Sequence, residues 1–353
     1  MTARIVRTCI ALACFAAQCS GADAWSPKAA AGYLDSRIAW WMAWPSAARD
    51  HDTFCVSCHT ALPYAMARPA LRAALAEQAP SPTEQKLVAN VTKRVRIWTE
   101  LEPFYADKKP GDPKTAESRG TESILNALVL AGYPDATLAL DNMLAQQLKD
   151  GDSKGAWNWL QFHNSPWEGD SQYYGTTLAA IAVGSAPETY RSSPEVKNSI
   201  KLLAGYLAKN RSAQTLMDRV ILLWASTKLP ELLTPAERKQ VIDEALSKQQ
   251  PDGGFSLSGF VGTWKRRDNT PLETKSDGYA TGVVTFVLQE AGVSRQKPQM
   301  QRGLAWLTSN QDATDGGWLA YSLNKQRDLT SDVGRFMSDA ATAYAVLALE
   351  HAN

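Results

Sequence analysis

The sequence of 353 residues predicts an all-α fold assembled from repeated helical hairpins. Three observations lead there. Almost no stretch alternates apolar and polar residues with a period of two, so few strands are expected. Helix starts are explicit. Ser81-Pro82-Thr83-Glu84 and Thr234-Pro235-Ala236-Glu237 each place a capping hydroxyl, a proline at the first helical position and a glutamate that can reach back to the cap. Ser193-Pro194-Glu195 is a similar start, after which Val196, Ile200, Leu203 and Leu207 fall on one helical face. Third, the hairpins recur about every 45–60 residues, the spacing of a repeat array.

At the N-terminus, Arg4 and Arg7 precede the short apolar run from Cys9 to Ala17, and Ala22-Asp23-Ala24 ends it. This order reads as a secretory leader cleaved after Ala24, too short to span a bilayer. Lipid attachment at Cys14 or Cys19 is the weaker reading, because the residues before each are poor for it. Cleavage would remove Arg4, Arg7 and Asp23 and take the formal charge from +1 to zero. It would leave Cys55 and Cys58 as the remaining cysteines. The expected mature protein is periplasmic or secreted, with no transmembrane span. Its composition is globular at 44% hydrophobic and 21% charged residues, and its charge balance argues against nucleic acid.

Next, Ala29 to Trp44 and Ser57 to Ala76 can be fitted to the same plan of hairpins, the first as an outer helix and the second as the first inner one. The second opens within Cys55-Val56-Ser57-Cys58-His59, the pattern of covalent c-type haem attachment. Two thiols at this spacing reach two vinyl groups of one macrocycle, and the following imidazole can lie under the iron. A Cys55–Cys58 disulfide is the main competitor, although it would close a very small loop. A thioredoxin-like pair lacks a surrounding βαβ pattern. Zinc lacks ligands, since His51, His163 and His351 are the other histidines. A sixth iron ligand is less defined. Met66 would share a helix face with His59 and suits core packing, which leaves His51, Met42, His163 and Met337.

Farther along, amphipathic helices end in glutamine followed by a glycine–aromatic turn. Examples are Gln249 to Phe255, Gln311 to Trp318 and, more loosely, Gln146-Gln147 with Gly155-Ala156-Trp157. Alternating with them are helices rich in small apolar residues, at Ser118–Ala131, Ser171–Val183, Asp277–Leu288 and Ser338–Leu349. Small residues suit crowded inner helices, and amphipathic ones suit an outer layer.

Gln311 to Trp318 is similar to the Gln-x-x-x-Gly-x-Trp repeat of squalene-hopene cyclases, with one extra glycine. Ser276-Asp277-Gly278-Tyr279-Ala280-Thr281-Gly282 resembles the start of an inner helix there. Over most of residues 118–353 the chain thus resembles the α/α-toroid superfamily of terpenoid cyclases and prenyltransferases. That resemblance implies about six outer–inner pairs in a closed ring, one domain over 25–353. Closure would make the first and last inner helices neighbours, which favours Met337 as the distal haem ligand. The cyclase Asp-x-Asp-Asp acid is absent, and no cysteine remains for the prenyltransferase zinc site.

Residues expected at the inner-helix N-termini are Arg119, Glu122, Asp170, Tyr173, Tyr174, Asp277 and Asp339, the acids among them also suited to capping. Glu122, Tyr173, Tyr174 and Asp277 are the candidate catalytic residues of a cavity. Of the 12 tryptophans, Trp157, Trp159, Trp167 and Trp264 are expected on or near turns around the cavity mouth; repeat packing is the stronger reading for Trp157, while Trp167 and Trp264 lie outside the repeat motif. The leading function is an exported haem c protein in which Cys55 and Cys58 hold the haem and His59 ligates iron, serving a redox partner or a small apolar substrate. The alternatives are a non-redox cyclase-like or polysaccharide-lyase-like enzyme with a Cys55–Cys58 disulfide, and a non-catalytic binding module.

Overall fold

The computed structural model describes residues 25–162 and 172–351. The segment expected to be a leader, and His163, Trp167 and Asp170, lie outside the described residues. The chain is all-α apart from one hairpin, with thirteen α-helices among the described residues. In chain order these are α1 (Pro27–Ala43), α2 (Ala61–Ala74), α3 (Pro82–Arg96), α4 (Lys114–Val129), α5 (Ala136–Ala145), α6 (Gln172–Gly184) and the single-turn α7 (Glu188–Arg191). They continue as α8 (Pro194–Asn210), α9 (Leu216–Lys228), α10 (Pro235–Ser247), α11 (Gly278–Glu290), α12 (Pro298–Ser309) and α13 (Phe336–Leu349). The hairpin pairs β1 (Ala48–Arg49) with β2 (Thr53–Phe54), antiparallel.

The capping residues act as their chemistry dictates. Ser81 with Glu84, and Thr234 with Glu237, form reciprocal capping boxes at the starts of α3 and α10, satisfying backbone N–H groups that a helix start leaves open. Ser193 accepts from the Val196 N–H to start α8.

Two sets of helices differ in burial. In α6, α9, α11 and α13 nearly every residue is buried, as expected of helices apolar and small on all sides. In α8, α10 and α12 one stripe alone is buried, including Val196, Leu203 and Leu207 on α8. Together with α2 and α4, the buried set packs in succession: α2 on α4, α4 on α6, α6 on α9, α9 on α11 and α11 on α13. Helix α13 then packs back on α2. The tightest of these contacts is between α11 and α13. A Cβ on Gly282 would lie 2.8 Å from the Ala345 backbone nitrogen, so only glycine permits this approach.

The glutamine–glycine turns join the peripheral helices by one repeated contact. Gln147 Nε2 donates to the Gly155 and Ser199 carbonyls, and Gln249 Nε2 to those of Gly253 and Gln299. Gln311 Nε2 donates to those of Gly316 and Ser26. Thus each turn grips the following peripheral helix, and the last grips the start of α1. The glycines have φ values of 95°, 92° and 83°, a region costly for other residues. Beyond that, a Cβ at each would strike the backbone of Leu202, Arg302 or Ala29, respectively.

The expected boundaries shift at two ends that matter. Helix α13 begins at Phe336, so Met337 lies in its first turn and is buried. Helix α4 begins at Lys114, which places Glu122 well inside it. Replacing Gly282 by valine is expected to lower stability by about 1–3 kcal/mol, the cost of overpacking a close contact, measured by urea unfolding.

Candidate functional site

The chain between α1 and α2 turns back on itself before it enters α2. His51 and Asp52 take left-handed conformations, with φ of 53° and 52°, and close the β1–β2 hairpin. Asn90 of α3 clamps this segment through both ends of its side-chain amide. Its Oδ1 accepts from the Phe54 N–H at 2.9 Å and its Nδ2 donates to the Phe54 carbonyl at 3.0 Å. The Trp41 indole N–H donates to the Cys55 carbonyl at 2.6 Å. Ser57 then supplies the helix start, its hydroxyl accepting from the N–H groups of Thr60 and Ala61. The two middle residues of the cysteine motif therefore do local work: Val56 is buried and Ser57 caps.

All five residues from Cys55 to His59 line one chamber of about 570 Å³. That is the size of a cofactor or small-ligand pocket, roughly 300–1,000 Å³. Trp41, Trp44, Phe104, Trp159, Phe162 and Phe336 form aromatic walls, with Thr121 and Leu125 of α4 beneath. The mouth is polar and carries Arg267, Lys325 and Arg327 against the one acid Asp268, so among the described lining residues cations exceed anions. Two loops meet there. Trp264 Nε1 donates to the Leu323 carbonyl at 2.8 Å, and the Asn324 side chain donates to the Phe162 carbonyl at 3.0 Å.

His59 is buried. Phe336 stacks on its imidazole at a centroid distance of 3.9 Å, and Trp41 meets it edge-on at 5.1 Å. Its Nδ1 lies 3.0 Å from the Thr60 hydroxyl, which donates to Asp339 Oδ2 at 2.6 Å. Asp339 also accepts from Arg37 Nε at 2.7 Å and from the Tyr33 hydroxyl at 3.0 Å. Burial, reinforced by the charges of Arg37 and Arg327, lowers the His59 pKa to about 3. Burial also raises that of Asp339, against the pull of Arg37, Thr60 and Tyr33. His59 is a neutral imidazole at pH 7, the form that ligates metals.

The structure separates the other candidates from this chamber. Glu122 faces α3, where Arg94 Nε donates to it at 2.6 Å with both side chains fully buried. Desolvation raises its pKa despite the Arg94 charge. It is thus the partner of a buried cation, not an acid lining the chamber. Asp277 caps α11, accepting from the Ala280 and Leu257 N–H groups; burial raises its pKa to about 7. Tyr173 packs toward Tyr206, and Tyr174 lies behind the chamber wall, edge-on to Trp159. Met337 is not a described lining residue. The adjacent Phe336 faces the chamber from α13, as expected for neighbours on one helix that point in different directions. His51 is exposed at the hairpin tip, and His351 pairs with Glu290 at 3.0 Å. Arg119 lies over Trp98. Trp157 packs in its repeat turn, its indole donating to the Met143 carbonyl.

Sequence reasoning finds Cys55, Cys58 and His59 but not Arg37, Thr60, Phe336 or the cationic mouth. Thr60, adjacent to the motif, carried the only local signal. Two thiols and one neutral imidazole thus face a single aromatic cavity. Among the described residues there is no disulfide, and no group of three His, Cys, Asp or Glu converges as a metal site. No protein-family model matches the chain, and no curated protein matches it.

With His59 uncoordinated, the unfolded chain binds a proton near pH 6.5 that the folded chain refuses until about pH 3. Stability from this group is therefore complete above pH 6.5 and falls as pH drops toward 3. At pH 5 the loss is about 2 kcal/mol. The apoprotein of His59→Phe is expected to lack this part of the pH dependence in urea titrations at pH 5 and 7.

Proposed function

We propose that the protein is an exported c-type haem protein, the haem held in the chamber on an α/α-toroid scaffold. The observation that carries this reading is that Cys55, Cys58 and His59 face one cavity of suitable size. A disulfide or a buried structural motif has no need of such a cavity. The residues fit the group on four counts. The thiols lie on the same wall, the imidazole is neutral, the walls are aromatic, and the mouth carries Arg267, Lys325 and Arg327, suited to the two carboxylates of a haem. Each thiol would add across one vinyl group, with sulfur bonding to one carbon and hydrogen going to the other. His59 Nε2 would ligate iron, and the bound group would supply one-electron or small-ligand chemistry. The chain's own part is to orient the imidazole, exclude water with Trp41, Trp159 and Phe336, and position the anionic edge at the mouth.

The toroid is supported by two features. Helices α2, α4, α6, α9, α11 and α13 contact one another in succession and return to the first, and the same glutamine–glycine contact recurs, ending at Ser26. Among the described residues no helix is long and apolar enough to cross a membrane. The leader-like N-terminus and the cysteine motif support a periplasmic or secreted protein whose partner is a redox protein or a small apolar substrate.

The purified protein, produced with a cytochrome c assembly system, is expected to be red. It should show a Soret band and a pyridine haemochrome that resists acid-acetone extraction. Cys55→Ala or Cys58→Ala should retain a single thioether and shift the haemochrome band, and the double variant should release its haem. A colourless wild-type protein from that host would overturn the proposal. Carbon monoxide binding to the reduced form then separates an open iron site from an electron carrier.

A further inference from the structure

Two late loops, 264–273 and 322–327, carry the charged groups of the chamber mouth, and neither contains helix or strand. Hydrogen bonds between them take that place. Trp264 Nε1 donates to the Leu323 carbonyl and the Arg267 N–H to the Asn324 carbonyl, both at 2.8 Å. The Gln326 N–H donates to Asp268 Oδ2 at 2.8 Å. Among these rungs lies Arg266, only 3% exposed. Its Nε donates to the Ser322 carbonyl at 2.8 Å, its Nη1 to the Pro271 carbonyl at 2.6 Å and its Nη2 to Glu273. A buried guanidinium needs its donors met, and its planar fork fixes the directions in which they are met. Partners on both loops therefore share one arrangement. Arg267, next in sequence, and Lys325 on the other loop stand exposed and line the chamber. Asp268 lines it too, but both its oxygens are engaged within the loops, Oδ1 by Thr270 and Oδ2 by Gln326.

We infer that Arg266 is a positioning residue for the mouth: it locks the two loops together so that Arg267 and Lys325 hold fixed places and select a chamber occupant with carboxylates at its outer edge. The ligand class rests on the haem reading, whereas the loop geometry does not. Arg266 is paired with Glu273, so the pair adds no net charge to the mouth and its part is geometric. Cations held in place beforehand bind an anion without the entropy cost of ordering the loops at that moment.

The test uses the haem-free full chain, made without a haem-attachment system, and two probes: mesoporphyrin, whose ethyl groups cannot form thioethers, and its dimethyl ester. Quenching of tryptophan fluorescence reads binding of each in the same buffer and detergent. The wild type is expected to prefer the dicarboxylate about tenfold, the size of two exposed ion pairs. Arg267→Ala with Lys325→Ala should bring the two affinities within about twofold of each other. Arg266→Met with Glu273→Gln removes the buried pair without changing the net charge, and it should abolish the preference as well. Hydrogen exchange in this variant should quicken at 264–273 and 322–327 and stay unchanged in α11 and α13. If it does not fold, Arg266→Lys keeps every charge but loses the fork, and it should move the ratio and the exchange in the same direction. Equal affinities in the wild type, or a preference that survives loss of the fork, overturn the inference and leave the haem reading standing. Binding of neither porphyrin overturns the haem reading and the ligand class together, and unchanged loop exchange then overturns the positioning role as well.

Discussion

Asp339 is a buried carboxylate that the protein cannot leave unpaired. An ionised acid in the interior costs several kcal/mol unless charge and hydrogen bonds compensate it. Arg37, Tyr33 and Thr60 all point at it. Satisfying this one group fixes how α1, α2 and α13 meet, and with them the position of His59 and of Phe336 against its ring. Replacing such a pair with apolar residues is often tolerated, whereas removing one partner is not. The network is therefore best understood as a source of specificity for the seam between the chain ends.

A second device works at the same seam. The glutamine–glycine turn closes on its own glycine carbonyl and on the backbone of the next peripheral helix. The glutamine amide has two hydrogens for these two carbonyls, and the glycine removes the Cβ that would hold the backbones apart. Used twice within the chain, the contact stacks one hairpin on the next; used a third time, at Gln311, it finds Ser26. The buried helices pack in the same cyclic order. The chamber lies beside this seam because the cysteine motif leads into α2.

Parts of this were legible from residue order because they are local. The capping boxes at Ser81 and Thr234, the alternation of small-residue and amphipathic helices, and the glycine turns all act within a few residues of themselves. The cysteine–histidine motif was legible for the same reason, since its chemistry is written in a spacing. Glu122 shows where such reading stops. Its position in a helix rich in small residues suggested a cavity acid, but its partner is Arg94 on a different helix, and nothing local announces that pairing. Met337 was expected beside the haem, whereas the α13 residue that lines the chamber is the adjacent Phe336, a difference of one residue's rotation that helix boundaries known to within a turn do not resolve.

Residue order by itself determined the helical class, the repeat, the thiol pair and the adjacent imidazole, because each follows from periodicity or from bonds between near neighbours. Only the tertiary structure decided that His59 shares a chamber with both thiols, that aromatic side chains from α1, α13 and the loop after α5 wall it, and that cations from two late loops rim it. Those relations join residues separated by up to most of the chain length, and only packing brings them within bonding distance.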